Sequence, residues 1–279
     1  MPIVKKLLRD IPALLGFAII LIVVLVAIFA WQIAPLPDQI YKANILQRLQ
    51  PPSAAHWFGT DALGRDIFSR VILGTRSALA IALSVVGLSL VIGVSLGLYA
   101  GYSRGWGSAL AMRMTDIFLA VPQLVLALAV SQILSRGIES AMIALALTYW
   151  PFFARTAYSE ALKVRSSLFV EALEGMGASP LRIAVLHILP SIAAPIIVRA
   201  TIGMGFTILT AATLGFLGIG ATPPSPEWGL MISEARQFLP KSWWYAAFPG
   251  LAILVTVLGF NLLGDGLRDI VDPRLRRSR

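Results

Sequence analysis

The sequence predicts an all-α integral membrane protein with six transmembrane helices. Of its 279 residues, 57% are hydrophobic and 13% charged, against about 25% charged in a soluble domain. The mean hydropathy is +0.80. Its uncharged runs also reach the length that a bilayer demands, about 20 apolar residues. There is no cysteine, which excludes disulfides and thiolate metal sites. Two histidines, His56 and His187, make a histidine metal cluster a poor fit. The net charge of +9 suits the Lys- and Arg-rich cytoplasmic flanks of a membrane protein better than a nucleic-acid surface.

Lys5, Lys6 and Arg9 precede a charge-free run from Ile11 to Pro37. A signal peptide has an apolar region of only about 7–15 residues, so this run reads as a retained first helix with its N-terminus in the cytoplasm. The spans are expected at about 11–33, 77–101, 117–135, 140–158, 191–219 and 243–264. The fourth is the least apolar, since only Ser140–Ala154 is free of charge and Arg155 has to snorkel to the interface. Pro122, Pro151 and Pro195 fall in or near spans, where neighbouring helices can satisfy the freed carbonyls. Trp31, Trp243 and Trp244 fall at span ends, where indole rings are favoured.

With the N-terminus inside, segments 1–10, 102–116, 159–190 and 265–279 are cytoplasmic and hold thirteen Lys and Arg residues. The external segments 34–76, 136–139 and 220–242 hold eight. The excess supports a cytoplasmic location for both termini. The domain reading is a first helix and external loop over 1–75, a five-helix core over 76–264 containing a cytoplasmic loop at 159–190, and a tail over 265–279.

Within the spans the charges are Arg155 and Arg199; Asp116 comes nearest among the acids, at the edge of the third span. Ion-coupled transporters commonly use intramembrane carboxylates or histidines as relays, so a stand-alone secondary transporter lacks its machinery here. None of the five lysines follows a glycine, so no Gly-x4-Gly-Lys-Ser/Thr phosphate loop exists. If the chain transports, its energy comes from elsewhere.

One polar interruption stands out: EALEGMGASPLRIAVLHILP, Glu171 to Pro190. Phe169, Val170, Ala172, Leu173 and Met176 include the i, i+3, i+4 and i+7 positions counted from Phe169 and form one apolar stripe, with Glu171 and Glu174 off it. Gly177 is placed to end that helix. Ser179-Pro180 reads as a new start, with Ser as N-cap and Pro as first helical residue. Leu181, Ala184, Val185 and Ile188 repeat the stripe, and Pro190 stops the helix or begins the next span. The segment is expected to be two short amphipathic helices joined at an angle. Periodicity alone leaves open a surface hairpin or a docking element.

Glu171-Ala172, Gly177 and Leu189-Pro190 resemble the E-A-A-x3-G-x9-I-x-L-P motif of binding-protein-dependent ABC importer permeases. Leu173 and His187 depart from it. HWFGTDALGRDIFSRVILGTRSAL (His56–Leu79) is similar to the H-x-x-G-T-D-x-x-G-R-D-x-x-S-R signature of dipeptide, oligopeptide and nickel permeases, carried here by Gly59, Thr60, Asp61, Gly64, Arg65 and Asp66. LGFLGIGATPPSPEWGLMI (Leu214–Ile232) and FPGLAILVTVLGFNLLGDGLRDIVDPRLR (Phe248–Arg276) look like the end of the same family. The resemblance covers nearly all of 11–276.

It implies a type I ABC-importer permease that forms half of a pore with a homologous permease. Two ABC ATPase subunits would carry ATP and Mg, this chain would bind no cofactor, and an extracytoplasmic binding protein would deliver substrate. Glu171, Ala172, Leu173, Glu174, Gly177, Leu189 and Pro190 would couple to an ATPase. The substrate class implied is di- or oligopeptides, with nickel chelates, glutathione or another small solute as alternatives. Arg199, about two turns into the fifth span, has two open readings: a snorkelling arginine, or a pore charge that meets a peptide carboxylate. Asp61, Arg65 and Asp66 have open readings: mutual pairing in a tight external turn, contact with substrate, or contact with the binding protein. The proline-rich Thr222–Gly229 is expected to form a stiff external plug or docking loop.

Overall fold

The computed structural model describes residues 10–134 and 137–271. The N-terminal lysines and the end of the expected tail lie outside them. Among the described residues the chain is helical, with a single isolated bridge between Thr60 and Asp66. The first long helix, α1 (Ile11–Ile28), begins at Asp10, whose carboxylate accepts from the Ala13 amide at 3.1 Å. It is followed by the short α2 (Ala30–Ile33), then α3 (Ile67–Tyr102), α4 (Trp106–Ala120), α5 (Gln123–Ile133) and α6 (Ile138–Arg165). The second half holds α7 (Leu168–Gly175), α8 (Pro180–Ile183), α9 (Leu189–Phe216), α10 (Trp228–Ala235) and α11 (Trp244–Val271).

By length and composition α1, α3, the continuous stretch of α8 and α9, and α11 can each cross a membrane. The α4–α5 pair makes a fifth candidate if counted as one broken span. The fourth expected span, 140–158, lies in α6, whose 28 residues reach about 42 Å at the usual rise. It carries Glu139, Arg155, Glu160, Lys163 and Arg165 and is less apolar than the others. The expected third span, 117–135, is corrected: the chain bends by 94° between α4 and α5. Pro122 has no amide hydrogen and disfavours a helical residue before it; Val121 is accordingly extended, at φ −91° and ψ 131°. The second helix also starts ten residues before the expected 77, because Asp66 caps Ile67 onward by accepting from the Ser69 amide at 2.7 Å.

Helix α3 contributes to all four cores: with α9, α10 and α11, with α6 to α9, with α5, α6 and α9, and with α2. Its contact with α6 is a seam of small residues. Gly93, Gly97 and Gly101 recur every fourth position against Phe153, Ala157 and Ala161. A Cβ at these glycines would lie 2.6, 2.8 and 2.7 Å from theirs. Between membrane helices there is little hydrophobic drive, so close backbone approach through small residues supplies the packing. Gly97→Leu is therefore expected to destabilise the chain by about 1–3 kcal/mol or more by overpacking, whereas Gly87→Ala, with open space around it, is expected to leave helix packing unchanged. Thermal unfolding in detergent checks both.

Helix α1 shows the inverse of a soluble amphipathic helix. Ala13, Gly16 and Ala27 are buried while Leu15, Ile22 and Ile28 are exposed. A Cβ at Gly16 would lie 2.5 Å from the Leu263 backbone nitrogen on α11. Small residues face protein and large apolar ones face outward, as in a helix solvated by lipid.

Candidate functional site

Two polar constellations stand at opposite ends of α3, about 54 Å apart at 1.5 Å per residue. The first is the 168–190 loop. Its turn is a Schellman motif: the Ala178 amide donates to the Leu173 carbonyl at 3.1 Å and the Gly177 amide to the Glu174 carbonyl at 3.0 Å. Gly177 has φ +77°, the left-handed region that glycine enters without a Cβ penalty. Nothing lies within 4 Å of a Cβ built there, so dihedral angle, not space, demands the glycine.

The faces of α7 differ from the expected stripe. Val170 points inward with 0% exposure and Leu173 is half-buried, packed with Ile183 and Ile188. Phe169, Ala172 and Met176, placed on one stripe by spacing, are exposed instead. Leu168 (83%), Met176 (74%) and Leu181 (74%) stand farthest out. The stripe is split because eight residues make only two turns, and one inward anchor holds so short a helix. Glu171 and Ala172 are exposed. Glu174 Oε1 accepts from the Tyr102 hydroxyl at 3.0 Å, which ties the loop to the end of α3. Tyr102 carries no sequence signal for this.

The expected second short helix is corrected. Ser179 has the extended backbone of an N-cap, although its side chain makes no cap bond. From Pro180 the helix runs on through a π turn at Ala184–Ile188 into α9. Pro190 neither stops it nor starts a separate helix. Its missing amide and bulky ring are accommodated near a widened turn. His187 lies edge-on to Phe169, with ring centroids 5.5 Å apart.

Further along α9, the Arg199 guanidinium stacks over the Phe152 ring of α6 at 4.9 Å, and its buried Nε has no hydrogen-bond partner among the described residues. Tyr149 stacks on Phe206 nearby at 5.9 Å. Arg155, expected to snorkel to the interface, pairs with Asp116 of α4.

The second constellation is a buried charge cluster around the 56–70 stretch. Gly59 and Gly64 take positive φ, +75° and +74°, and turn the chain so that Thr60 bridges Asp66. The Asp61 carboxylate accepts from the Arg65 Nε at 2.6 Å and from the Leu63 and Arg65 amides at 2.8 and 2.9 Å. Asp66 does not pair with Arg65. It caps α3 and meets His56 Nδ1 at 2.9 Å. Arg65 instead reaches Glu234 of α10 at 3.2 Å, and Arg70 lies 3.6 Å from both Asp61 and Glu234. The Tyr245 hydroxyl of α11 donates to Glu234 at 2.8 Å. Asp61, Arg65 and Arg70 are 0–1% exposed, and buried charges persist only when paired and hydrogen-bonded. Glu234 and Tyr245 lie so far along the chain that spacing gives no hint of them.

The 222–229 loop is exposed at Thr222–Pro224 and packs down over Pro226–Gly229. Trp228 Nε1 donates to the Val71 carbonyl at 3.0 Å, next to Gly74, where a Cβ would meet that indole at 2.6 Å. Glu227 caps α10 by accepting from the Gly229 and Leu230 amides at 2.8 and 2.7 Å. Burial pushes its carboxyl above the ordinary range, and the two amide bonds pull it back.

Comparison with known proteins places these features. Residues 93–277 match the family described as binding-protein-dependent transport system inner membrane component. Residues 3–52 match the N-terminal TM domain of oligopeptide transport permease C. The dipeptide transport system permease protein DppC of Alkalihalophilus pseudofirmus is 44% identical, over 98% of this chain and 89% of that one. The probable D,D-dipeptide transport system permease protein DdpC of Escherichia coli is 45% identical, over 92% and 85%. The glutathione transport system permease protein GsiD of Pectobacterium atrosepticum is 41% identical, over 98% and 90%. In fold, the chain is similar to the MetNI methionine ABC transporter in an inward-facing conformation, with a TM-score of 0.61 at 19% identity over 73% of this chain and 97% of that one. An all-helical bundle with apolar outward faces, matched over nearly its whole length, thus belongs to the inner-membrane permease components of binding-protein-dependent ABC transport systems.

Proposed function

We propose that this chain forms half of the translocation pore of an ATP-driven importer of di- or oligopeptides, with the 168–190 loop receiving the motion of an ATPase subunit. One observation carries the coupling role. Leu168, Met176 and Leu181 expose large apolar surface beside Glu171 on a loop whose turn Gly177 fixes. Apolar side chains rimmed by a carboxylate fit a groove lined with basic residues. Leu189 and Pro190 carry that motion into α9 because the helix is continuous from Pro180. A rigid element of this kind can switch a pore between inward- and outward-facing states.

The remaining parts follow from that assignment. A homologous permease, two ATPases holding ATP and Mg, and an extracytoplasmic binding protein complete the transporter. This chain itself is non-catalytic and sits in the bacterial inner membrane with both termini in the cytoplasm. Gly59, Thr60, Asp61, Gly64, Arg65 and Asp66 shape the opposite face, where the binding protein docks. Arg199, held over Phe152, is the pathway charge for a peptide carboxylate.

ATP-dependent uptake of a labelled dipeptide into proteoliposomes holding the complete complex tests this reading. Uptake is expected, and Arg199→Gln is expected to reduce it about tenfold or more, the worth of one charge-assisted hydrogen bond, with normal assembly. Unchanged uptake in Arg199→Gln removes that residue from the pathway. Relatives named for glutathione transport support a second substrate, and competition by unlabelled glutathione decides between them.

A further inference from the structure

A cleft of about 540 Å³ lies between the end of α2, the first third of α3 and the 222–226 segment, lined among others by Trp31, Tyr41, Arg76, Ser77, Thr222 and Ser225. This is within the size range of small-ligand sites. Among the described residues, every polar side chain on its wall can donate a hydrogen bond and no carboxylate lines it. Among the described residues, Trp31, Tyr41, Arg76, Ser77, Thr222 and Ser225 spend none of these donors within the chain. A wall of unspent donors around one unpaired guanidinium is complementary to an anion with several acceptor oxygens.

The position of the cleft says what carries the anion. Trp31 and Tyr41 stand 6.5 Å apart just past the most apolar helix of the chain, at the depth where aromatic belts meet lipid headgroups. Below Arg76, the same face of α3 continues through Ala80, Leu83 and Gly87, all exposed and apolar. A charged mouth above an apolar track fits a headgroup above its acyl chains.

We propose that this cleft binds the phosphate of an anionic phospholipid, with the Arg76 guanidinium as its counter-charge and the Ser77 and Thr222 hydroxyls and Trp31 indole as further donors. Arginine presents a fork of donors that matches phosphate oxygens. Such a lipid pins α2 and the 222–226 segment to α3 at the membrane surface, on the face opposite the coupling loop.

Native mass spectrometry of the delipidated, intact complex with short-chain phosphatidylglycerol, phosphatidylcholine and inorganic phosphate tests the site. Phosphatidylglycerol is expected to bind at least about tenfold more tightly than phosphatidylcholine, a difference of 1.4 kcal/mol. Arg76→Gln is expected to erase that preference and Arg76→Lys to keep part of it. Arg76 is exposed and has no partner among the described residues, so the variants are expected to fold. Equal binding of the two lipids, no binding of either, or an unchanged preference in Arg76→Gln would overturn the site. Displacement of the lipid by equimolar inorganic phosphate would overturn its assignment to lipid.

Discussion

Gly177→Pro is expected to abolish substrate-stimulated ATP hydrolysis by the complex while the chain still inserts and accumulates. Proline fixes φ near −65° and removes the amide hydrogen. Gly177 needs φ +77° and donates that hydrogen to the Glu174 carbonyl. Both halves of the turn are therefore lost, at a cost of about 3 kcal/mol or more, and α7 loses its fixed direction over Ile183 and Ile188. Because the space around Gly177 is open, the damage stays in the turn rather than spreading into the bundle. Gly175→Ala makes the contrast. Position 175 is helical and equally open, so alanine is expected to stabilise α7 by about 0.5–1 kcal/mol and leave the turn intact. Wild-type ATPase stimulation in purified Gly177→Pro complex would contradict the role given to the loop.

Asp61→Ala is expected to have the largest effect on stability. It leaves the Arg65 and Arg70 guanidinium groups buried without the carboxylate that both face. Removing one partner from such a set costs about 3–5 kcal/mol. Two further losses add to this, since the Leu63 and Arg65 amides donate to the same carboxylate. The expected result is a strongly lowered unfolding midpoint in detergent, or failure to accumulate. Glu234 is the more accessible acid, 20% exposed, so Glu234→Gln is expected to cost less. A wild-type midpoint for Asp61→Ala would show that the cluster does not hold the α3, α10 and α11 ends together.

The long apolar helices were legible in the sequence because lipid imposes one requirement, a run of apolar residues of sufficient length, and α1, α3, α9 and α11 meet it in plain view. The bend at Val121-Pro122 was not, because the chain is uncharged on both sides of it and hydropathy does not register direction. The start of α3 was hidden by Arg70 and Arg76, which look like loop residues until the acids that face Arg70 are known. At the loop, Gly177 was legible because the turn needs a left-handed residue that the local sequence supplies. The inward rotation of Val170 was not, since a two-turn helix is oriented by one contact with Ile183 and Ile188 rather than by its own period. The charge cluster was half legible: Asp61 and Arg65 are four residues apart, whereas Glu234 and Tyr245 arrive from the far end of the chain.

The chain has no cysteine, so a single introduced one can report which partner the 168–190 loop touches. Ala172→Cys, at an exposed position on α7, would carry a short photo-crosslinker in the assembled complex, with Leu46→Cys, 95% exposed at the other end of α3, as its counterpart. The account predicts that the label at 172 is captured by an ATPase subunit and the label at 46 is not. Capture of the ATPase from position 46, or of only lipid or the binding protein from position 172, would contradict it.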